Sequence, residues 1–393
     1  MANTLTGLIP TLYESLDIVS RELVGFIPAV WQNPDGRSLQ RAAVGQDIRF
    51  PITRKYSSAA NTPGVEVPDT GDQTVDYGTI SITKSQHIPI KWNGVEQQGL
   101  SNGDSPQINN IMRDQLAQAF RSLINEVETD IASQYFLASR AVGTAGTTPF
   151  ASNLSDAAYI RKILDDNGAP KGDRSLIIDT TAGVNLRSLT QLTNVNQSGT
   201  DGTLRQGVLN DLFGISVRES AQIATHTAGT AASATTNTAG YAVGATTITL
   251  ASAGTGTIIA GDVITFAGDT NKYVVLTGDT DVSDGGTIVL AAPGLKKAIP
   301  ASATAITVQK DGTTLDYVGN IGFSRNAICL ITRLPERPEG GDKAIDIQTV
   351  VEPLTGIAFE IALYPGFRQN YVHVSLAWGA KIIKPEHTAL LLG

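Results

Sequence analysis

Apolar residues recur every three or four positions in some stretches of the chain and at every second position in others. Leu8, Leu12, Leu16, Val19, Leu23 and Ile27 fall on one helical stripe, with Glu14, Asp17, Ser20 and Arg21 off it. Pro28 ends the pattern. This predicts an amphipathic helix over about residues 10–26, packed either on its own domain or as an arm on a neighbouring subunit. A second stripe is longer. Ile108, Met112, Leu116, Phe120, Leu123, Ile124, Val127, Ile131 and Tyr135 follow a Ser105-Pro106 start, and neither Gly nor Pro intervenes before Gly143. A helix from about 106 to 140 would be roughly 50 Å long at 1.5 Å per residue. Its spacing drifts too much for a heptad coiled coil. It reads as a backbone supporting a thin, extended domain.

Between the two stripes the period is two. Ile48, Phe50 and Ile52 alternate with polar residues, and so do Ile80 and Ile82, then Ile88, Ile90 and Trp92. The intervening RKYSSAANTPGVEVPDTGDQTVDYG has little to bury. We expect a long hairpin with a polar, extended tip. Two such strands are not stable alone in water, so they need a surface to lie on. An intramolecular surface would call for a more apolar tip.

Residues 155–225 alternate helix and strand signals. SDAAYIRKILDDNGAP reads as a capped helix, RSLIIDT as a buried strand, TTAGVNLRSLTQL as a helix and DLFGISVRES as a strand. From 226 to 312 the residues become mostly Ala, Thr, Gly, Val and Ile. TTITLA, DVITFAG, NKYVVLTG, GTIVLAAPG and ATAITVQ read as five short strands between Gly-rich or Asp-rich turns. That is the pattern of a small antiparallel barrel or sandwich. NAICLITRLPE then resumes the earlier style. AIDIQTVVEP, GIAFEIALYPGF and YVHVSLAWGAKIIKPEHTALLLG read as closing strands. The block is flanked by pieces of another fold, so it reads as an insertion whose ends meet at a surface loop.

Composition narrows the function. The chain has 393 residues, 41% of them hydrophobic, enough for two or three folded domains. Its net charge is −8, which argues against a protein that grips nucleic acid. The N-terminal stretch lacks the basic region of a secretory signal, and no run of eighteen apolar residues suggests a membrane span. We therefore expect synthesis in the cytosol.

Cys329 is the only cysteine, which rules out an internal disulfide and a Cys-rich metal site; between Ile328 and Leu330 it reads as a buried apolar residue. His87, His226, His373 and His387 show no HExxH spacing, and His373 reads as an outward strand residue. No phosphate-binding loop or nucleophile elbow is present. The turn DTDVSDGG starts like a calcium loop with Asp279, Asp281 and Ser283. However, Asp284 replaces the required Gly and Leu290 the bidentate Glu, so it reads as a solvated turn. We expect no enzymatic activity, no cofactor and no metal.

The order of parts resembles the major capsid protein of tailed bacteriophages. The parts are an amphipathic arm, a polar-tipped hairpin, a very long helix, a central α/β domain and closing strands. The similarity is nearest to the coat-protein branch of short-tailed phages, which carries an inserted β-barrel domain. SLQRAAVGQDIRFPI looks like the entry to that family's extended loop, RDQLAQAFRSLINEVETDIASQYF like its spine helix, and SLAWGAKIIKPEHTALL like its closing strand. The resemblance implies an α+β tailed-phage capsid fold. It divides the chain into an N-terminal arm (1–36), extended hairpin loop (37–104), spine helix and part of the peripheral domain (105–154), first part of the axial domain (155–225), inserted antiparallel barrel (226–312) and the remainder of the axial and peripheral domains (313–393).

The implied function is a non-enzymatic subunit that self-assembles through hexamers and pentamers into an icosahedral shell around double-stranded DNA. That shell would form in the host cytoplasm and become the virion capsid. Its partners would be further copies of itself, with scaffolding and portal proteins; DNA would lie nearby without specific binding, and no membrane is involved. No intersubunit Lys–Asn crosslink is implied. The contact candidates are Leu12, Leu16 and Leu23 on the arm, and Arg54, Lys55, Tyr56, Asp69, Asp72, Asp76 and Tyr77 on the hairpin. An exported β-rich adhesin or surface-layer protein is the rival reading. The Thr/Ala/Gly tract favours it; the long helix, the missing export signal and the absence of tandem repeats disfavour it.

Overall fold

The computed structural model describes residues 24–52, 58, 60–61, 63–64, 77–96, 105–194, 209, 211–312, 316–353 and 355–393; for 105–110 it describes the backbone alone. Most of the expected N-terminal helix lies outside these residues. Its last part, Val24 to Phe26, is not helical. The buried carboxylate of Glu128 accepts the Phe26 and Ile27 amides at 3.1 and 2.8 Å, which turns the chain into a 3-10 turn at Ile27–Ala29.

Short strands β1 (Trp31–Gln32) and β2 (Arg41–Ala42) follow, then β3 (Asp47–Pro51), β4 (Tyr77–Ser81) and β5 (Lys84–Asn93). The long helix α1 spans Ser105–Ala132, about 42 Å at 1.5 Å per residue. It stops short of the expected residue 140. Ser133–Leu137 tighten into a 3-10 turn that carries Tyr135 towards His226, and Ala138 is already extended. Next come β6 (Arg140–Gly143), α2 (Ser155–Asp166), β7 (Arg174–Ile178), α3 (Thr180–Ser188) and α4 (Thr190–Thr193). The single helix expected over 180–192 is broken at Leu189, whose ψ of 127° is extended.

The chain continues through β8 (Ser216–Glu219), β9 (Thr225–Thr227), β10 (Thr247–Thr249), β11 (Val263–Phe266), β12 (Lys272–Thr277), β13 (Thr287–Leu290) and β14 (Ile306–Gln309). It closes with β15 (Asp316–Ser324), β16 (Ile328–Pro335), β17 (Asp346–Val351), β18 (Ala358–Gly366), β19 (Gln369–Ile382) and β20 (Thr388–Leu392).

One sheet is organised by β19. Along one edge it pairs with β5 from Gln369 to Trp378. Along the other, β18 takes residues 369–375 and β16 takes residues 377–382. Alternation places Val372, Val374, Leu376 and Trp378 on one face, beside Ile361 and Leu363 of β18. The apolar stripe of α1 packs on this face through Phe120, Leu123, Val127 and Ile131. Each such buried side chain stabilises the pair by about 1.5–3 kcal/mol. The Trp378 indole donates to Asp130 at 2.7 Å, tying strand to helix.

The expected hairpin is shorter than its hydrophobic pattern. Strands β3 and β4 pair in register, Ile48 opposite Ile80 and Pro51 opposite Tyr77. Ile88, Ile90 and Trp92 do not continue it. After Ser81 the chain crosses to β19 as β5, because the alternating Ile88 and Ile90 also find apolar neighbours against α1. The base of the hairpin rests on the chain's own sheet. Phe50, Ile80 and Ile82 pack on Cys329, Ile331 and Ala377 across the face opposite α1. The hairpin's apolar residues thus sit at its base; most of the polar tip lies outside the described residues.

The second sheet runs in the order β12-β6-β20-β15-β7-β8, with α2, α3 and α4 closing a separate core around Ile160, Leu164, Leu186 and Leu391. All five strands expected in the Ala/Thr/Gly tract are present. Backbone hydrogen bonds run round a ring: β14 to β11, β12, β13 and β10, and then through residues 234–237 back to residues 304–306. The ring has its own core of Ile248, Ile264, Phe266, Val275 and Ile288. It is not isolated, because β12 also pairs with β6, Lys272 opposite Ala141. Its ends do not meet at a surface loop either. Strand β9 leads in and β15 leads out, and they pair inside the body, His226 opposite Tyr317.

Candidate functional site

The Cys329 thiol is fully buried, and burial with the nearby Asp35 carboxylate pushes its pKa up to about 12, so it is no nucleophile. His373 does face outward from β19, on the side away from α1. It stacks on His87 with centroids 4.9 Å apart and meets the tilted Tyr364 ring at the same distance, and burial followed by the His87 neighbour lowers its pKa. In the turn at 279–286, Asp281 accepts the Ser283 amide and hydroxyl and Asp279 Oδ1 accepts the Asp281 amide, while Asp279 Oδ2 is buried without a hydrogen-bond partner. Among the described residues, no three His, Cys, Asp or Glu side chains stand together as a metal site, and no helix is long and apolar enough to cross a membrane.

One polar cluster was not foreseen. His226 Nε2 lies 2.8 Å from Asp262 Oδ1, and His226 Nδ1 lies 2.7 Å from the Tyr135 hydroxyl. With the proton on Nε2, the ring donates to Asp262 and accepts from Tyr135. Asp262 also accepts the Gly229 and Ile259 amides, and Tyr317 donates to the Gly261 carbonyl. Burial, then the Asp262 charge, raises the Tyr135 phenol to about 12. His226 and Asp262 are both closed to solvent. The cluster joins the end of α1, the ring and β9; it is a structural tie rather than a reactive site. Its members lie 91 and 36 residues apart, so no local motif announces it.

Of the proposed contact residues, Leu12, Leu16, Leu23, Arg54, Lys55, Tyr56, Asp69, Asp72 and Asp76 lie outside the described residues. Tyr77 opens β4 where the hairpin leaves the body. It is 57% exposed, with the Arg49 guanidinium 4.7 Å from its ring centroid. It pairs with Pro51 at the end of the described hairpin, beyond the apolar seat of Phe50, Ile80 and Ile82.

Two further surfaces stand at the far end of the first sheet. The turn between β18 and β19 carries Phe367, 87% exposed, and the residue after Gly94 is Val95, 84% exposed. The Gly94 amide donates to the Arg368 carbonyl at 3.4 Å, and Asn93 pairs with Gln369, so the two side chains share one tip. Alongside, α1 and β5 leave an open cleft of about 720 Å³. Ile88, Ile90, Ile111 and Ala119 line it, with Lys91, Asp114 and Gln118 among its polar residues. The alternation of β5 and the amphipathic pattern of α1 supply its apolar lining. The knob could not be read beforehand, since one Phe in a turn is ordinary.

No family model and no curated relative matches the chain in sequence. Solved structures overlap it loosely. The capsid of cyanophage P-SCSP1u is 13% identical with a TM-score of 0.47, covering 94% of this chain and 88% of that one. The virus-like particle from Pyrococcus furiosus is 11% identical with a TM-score of 0.41, covering 97% and 96%. A chain of Mycobacterium phage Che8 is 11% identical with a TM-score of 0.42, covering 90% and 89%.

Proposed function

We propose that this chain is the coat subunit of a tailed-phage head, assembling through hexamers and pentamers into an icosahedral shell that encloses double-stranded DNA. The observation that carries the reading is the hairpin. Its base is seated by Phe50, Ile80 and Ile82 on the subunit's own sheet, while the intervening segment from Thr53 to Asp76 is polar and has little to bury. A segment held at its root and too polar to make its own core suits a place on another copy. The order of parts along the chain, which resembles the tailed-phage coat proteins, supports the same reading. In it, α1 and the β19 sheet form the peripheral domain, the α2–α4 layer the axial domain, and the ring at 228–309 the inserted domain.

Scaffolding and portal proteins would be the other partners, and the net charge of −8 suits a container that holds DNA without gripping it. The test is electron microscopy of the expressed chain, beside a variant in which residues 54–76 are replaced by a short Gly-Ser linker. Closed shells from the parent and soluble, folded but unassembled subunits from the variant are expected. Normal shells from the linker variant would remove the hairpin's role, and a parent that never forms shells, with or without a scaffold, would remove the function.

A further inference from the structure

The tip at Phe367 and the cleft beside α1 are complementary. Phe367 and Val95 are the two most exposed of the large apolar side chains among the described residues. The tip that carries them is fixed. Strands β18 and β19 stay paired up to Gly366 opposite Gln369, Arg368 holds a left-handed φ of 53°, and β5 is tied to the turn through Gly94. A non-glycine residue in that conformation marks a turn held by its surroundings. The knob is therefore presented in one shape, so little entropy is lost when it docks. Apart from lying over the Phe367 ring at 5.5 Å, the Arg368 guanidinium has no carboxylate partner among the described residues.

The cleft supplies what the knob lacks. Ile88, Ile90, Ile111 and Ala119 offer apolar contact, and the volume of about 720 Å³ exceeds that of a phenyl group. Asp114 at its rim is 62% exposed, and its ion-pair partner is the adjacent Arg113. The cleft lies a few residues back along β5 from Val95, so a rigid tip cannot fold into it on the same molecule.

We propose that the Phe367–Val95 knob of one copy seats in the α1–β5 cleft of the next, with Arg368 pairing with Asp114 at the rim. This rests on the reading of the chain as a self-assembling subunit and names one of its contacts. Knob and cleft are different patches, so the contact is head to tail and repeats from copy to copy. Aromatic and arginine anchors entering a pocket are the usual centre of such interfaces.

The test uses the full chain and measures its self-association by sedimentation, with thermal melting as the folding control. Phe367→Asp, Arg368→Asp and Asp114→Arg change exposed positions, and Asp tolerates the left-handed backbone at 368. Each should leave melting unchanged and raise the concentration for half-association at least tenfold. Combining Arg368→Asp with Asp114→Arg should bring it back to within about threefold of the parent, since the pair is reversed rather than lost. Parent-like association of Phe367→Asp, or a double variant no better than the single ones, would overturn the contact. Parent shells that persist in Phe367→Asp defeat this contact alone. Head-to-tail oligomers that Phe367→Asp abolishes, but that never close into shells, defeat the capsid reading and leave the contact standing.

Discussion

Individual buried charges hold the parts of the molecule in register. Glu128 sits in the middle of a mostly apolar helix face and accepts the Phe26 and Ile27 amides and the Ser220 hydroxyl. Burial is the largest influence on its pKa and raises it, more than these hydrogen bonds lower it. A raised carboxylate favours the folded state when protonated. Its contribution is present below the unfolded value near 4.5 and is lost as pH rises through the folded value. Glu128→Gln keeps one acceptor and turns an amide donor towards backbone amides. It should cost about 1–3 kcal/mol. The gap to the parent should narrow as pH is raised from 5 to 8, read by urea unfolding at each pH. Asp262 is a second buried carboxyl that joins separate elements. Asp262→Ala strands the Gly229 and Ile259 amides and the His226 ring, and should cost about 3–5 kcal/mol by the same measurement. A loss below 1 kcal/mol would show that the tie is not needed.

Among the elements, the hairpin seat depends on a glycine. A Cβ at Gly379 would stand 2.1 Å from the Ser81 carbonyl oxygen, so β19 can approach β4 only where a side chain is missing. Gly379→Ala should lift the hairpin base and cost about 1–3 kcal/mol. Protease cleavage near residues 77–83 should accelerate while the rest of the chain stays intact; unchanged cleavage would show that the base does not need this approach.

The elements also show what sequence patterns could and could not convey. The presence and start of α1 were legible because its three-and-four spacing runs unbroken, but not its end, since Ser133–Leu137 keep the spacing and tighten into a 3-10 turn; the ring strands were legible because turns punctuate them. The departure of β5 from the hairpin was not, since alternation is the same whichever strand it pairs with. The knob, the cleft and the His226 cluster depend on which distant elements meet, and neither spacing nor composition encodes that. Of the foreseen contact residues Tyr77 alone is described, and it is exposed.

For the whole molecule, the ring and the body depend on each other. Strand β12 covers the edge of β6, and Asp262 completes the cluster at the end of α1. Removing residues 228–309 and joining the ends would expose the β6 edge and leave buried His226 without its carboxylate. Such a chain should aggregate rather than fold, as seen by size-exclusion chromatography and circular dichroism. A soluble, cooperatively melting product would mean that the ring is an ornament.

The pairing of β9 with β15 also sets a timetable. Thr227 and Asp316 are adjacent in the sheet, yet the whole ring lies between them in the chain. Bringing the ends of a flexible span of about ninety residues together costs roughly 4 kcal/mol. A ring that has already closed on its own core shortens that span, because its first and last segments are then hydrogen-bonded side by side. The ring thus acts as a splint, and substitutions in its core should slow refolding of the distant body sheet more than they hasten its unfolding.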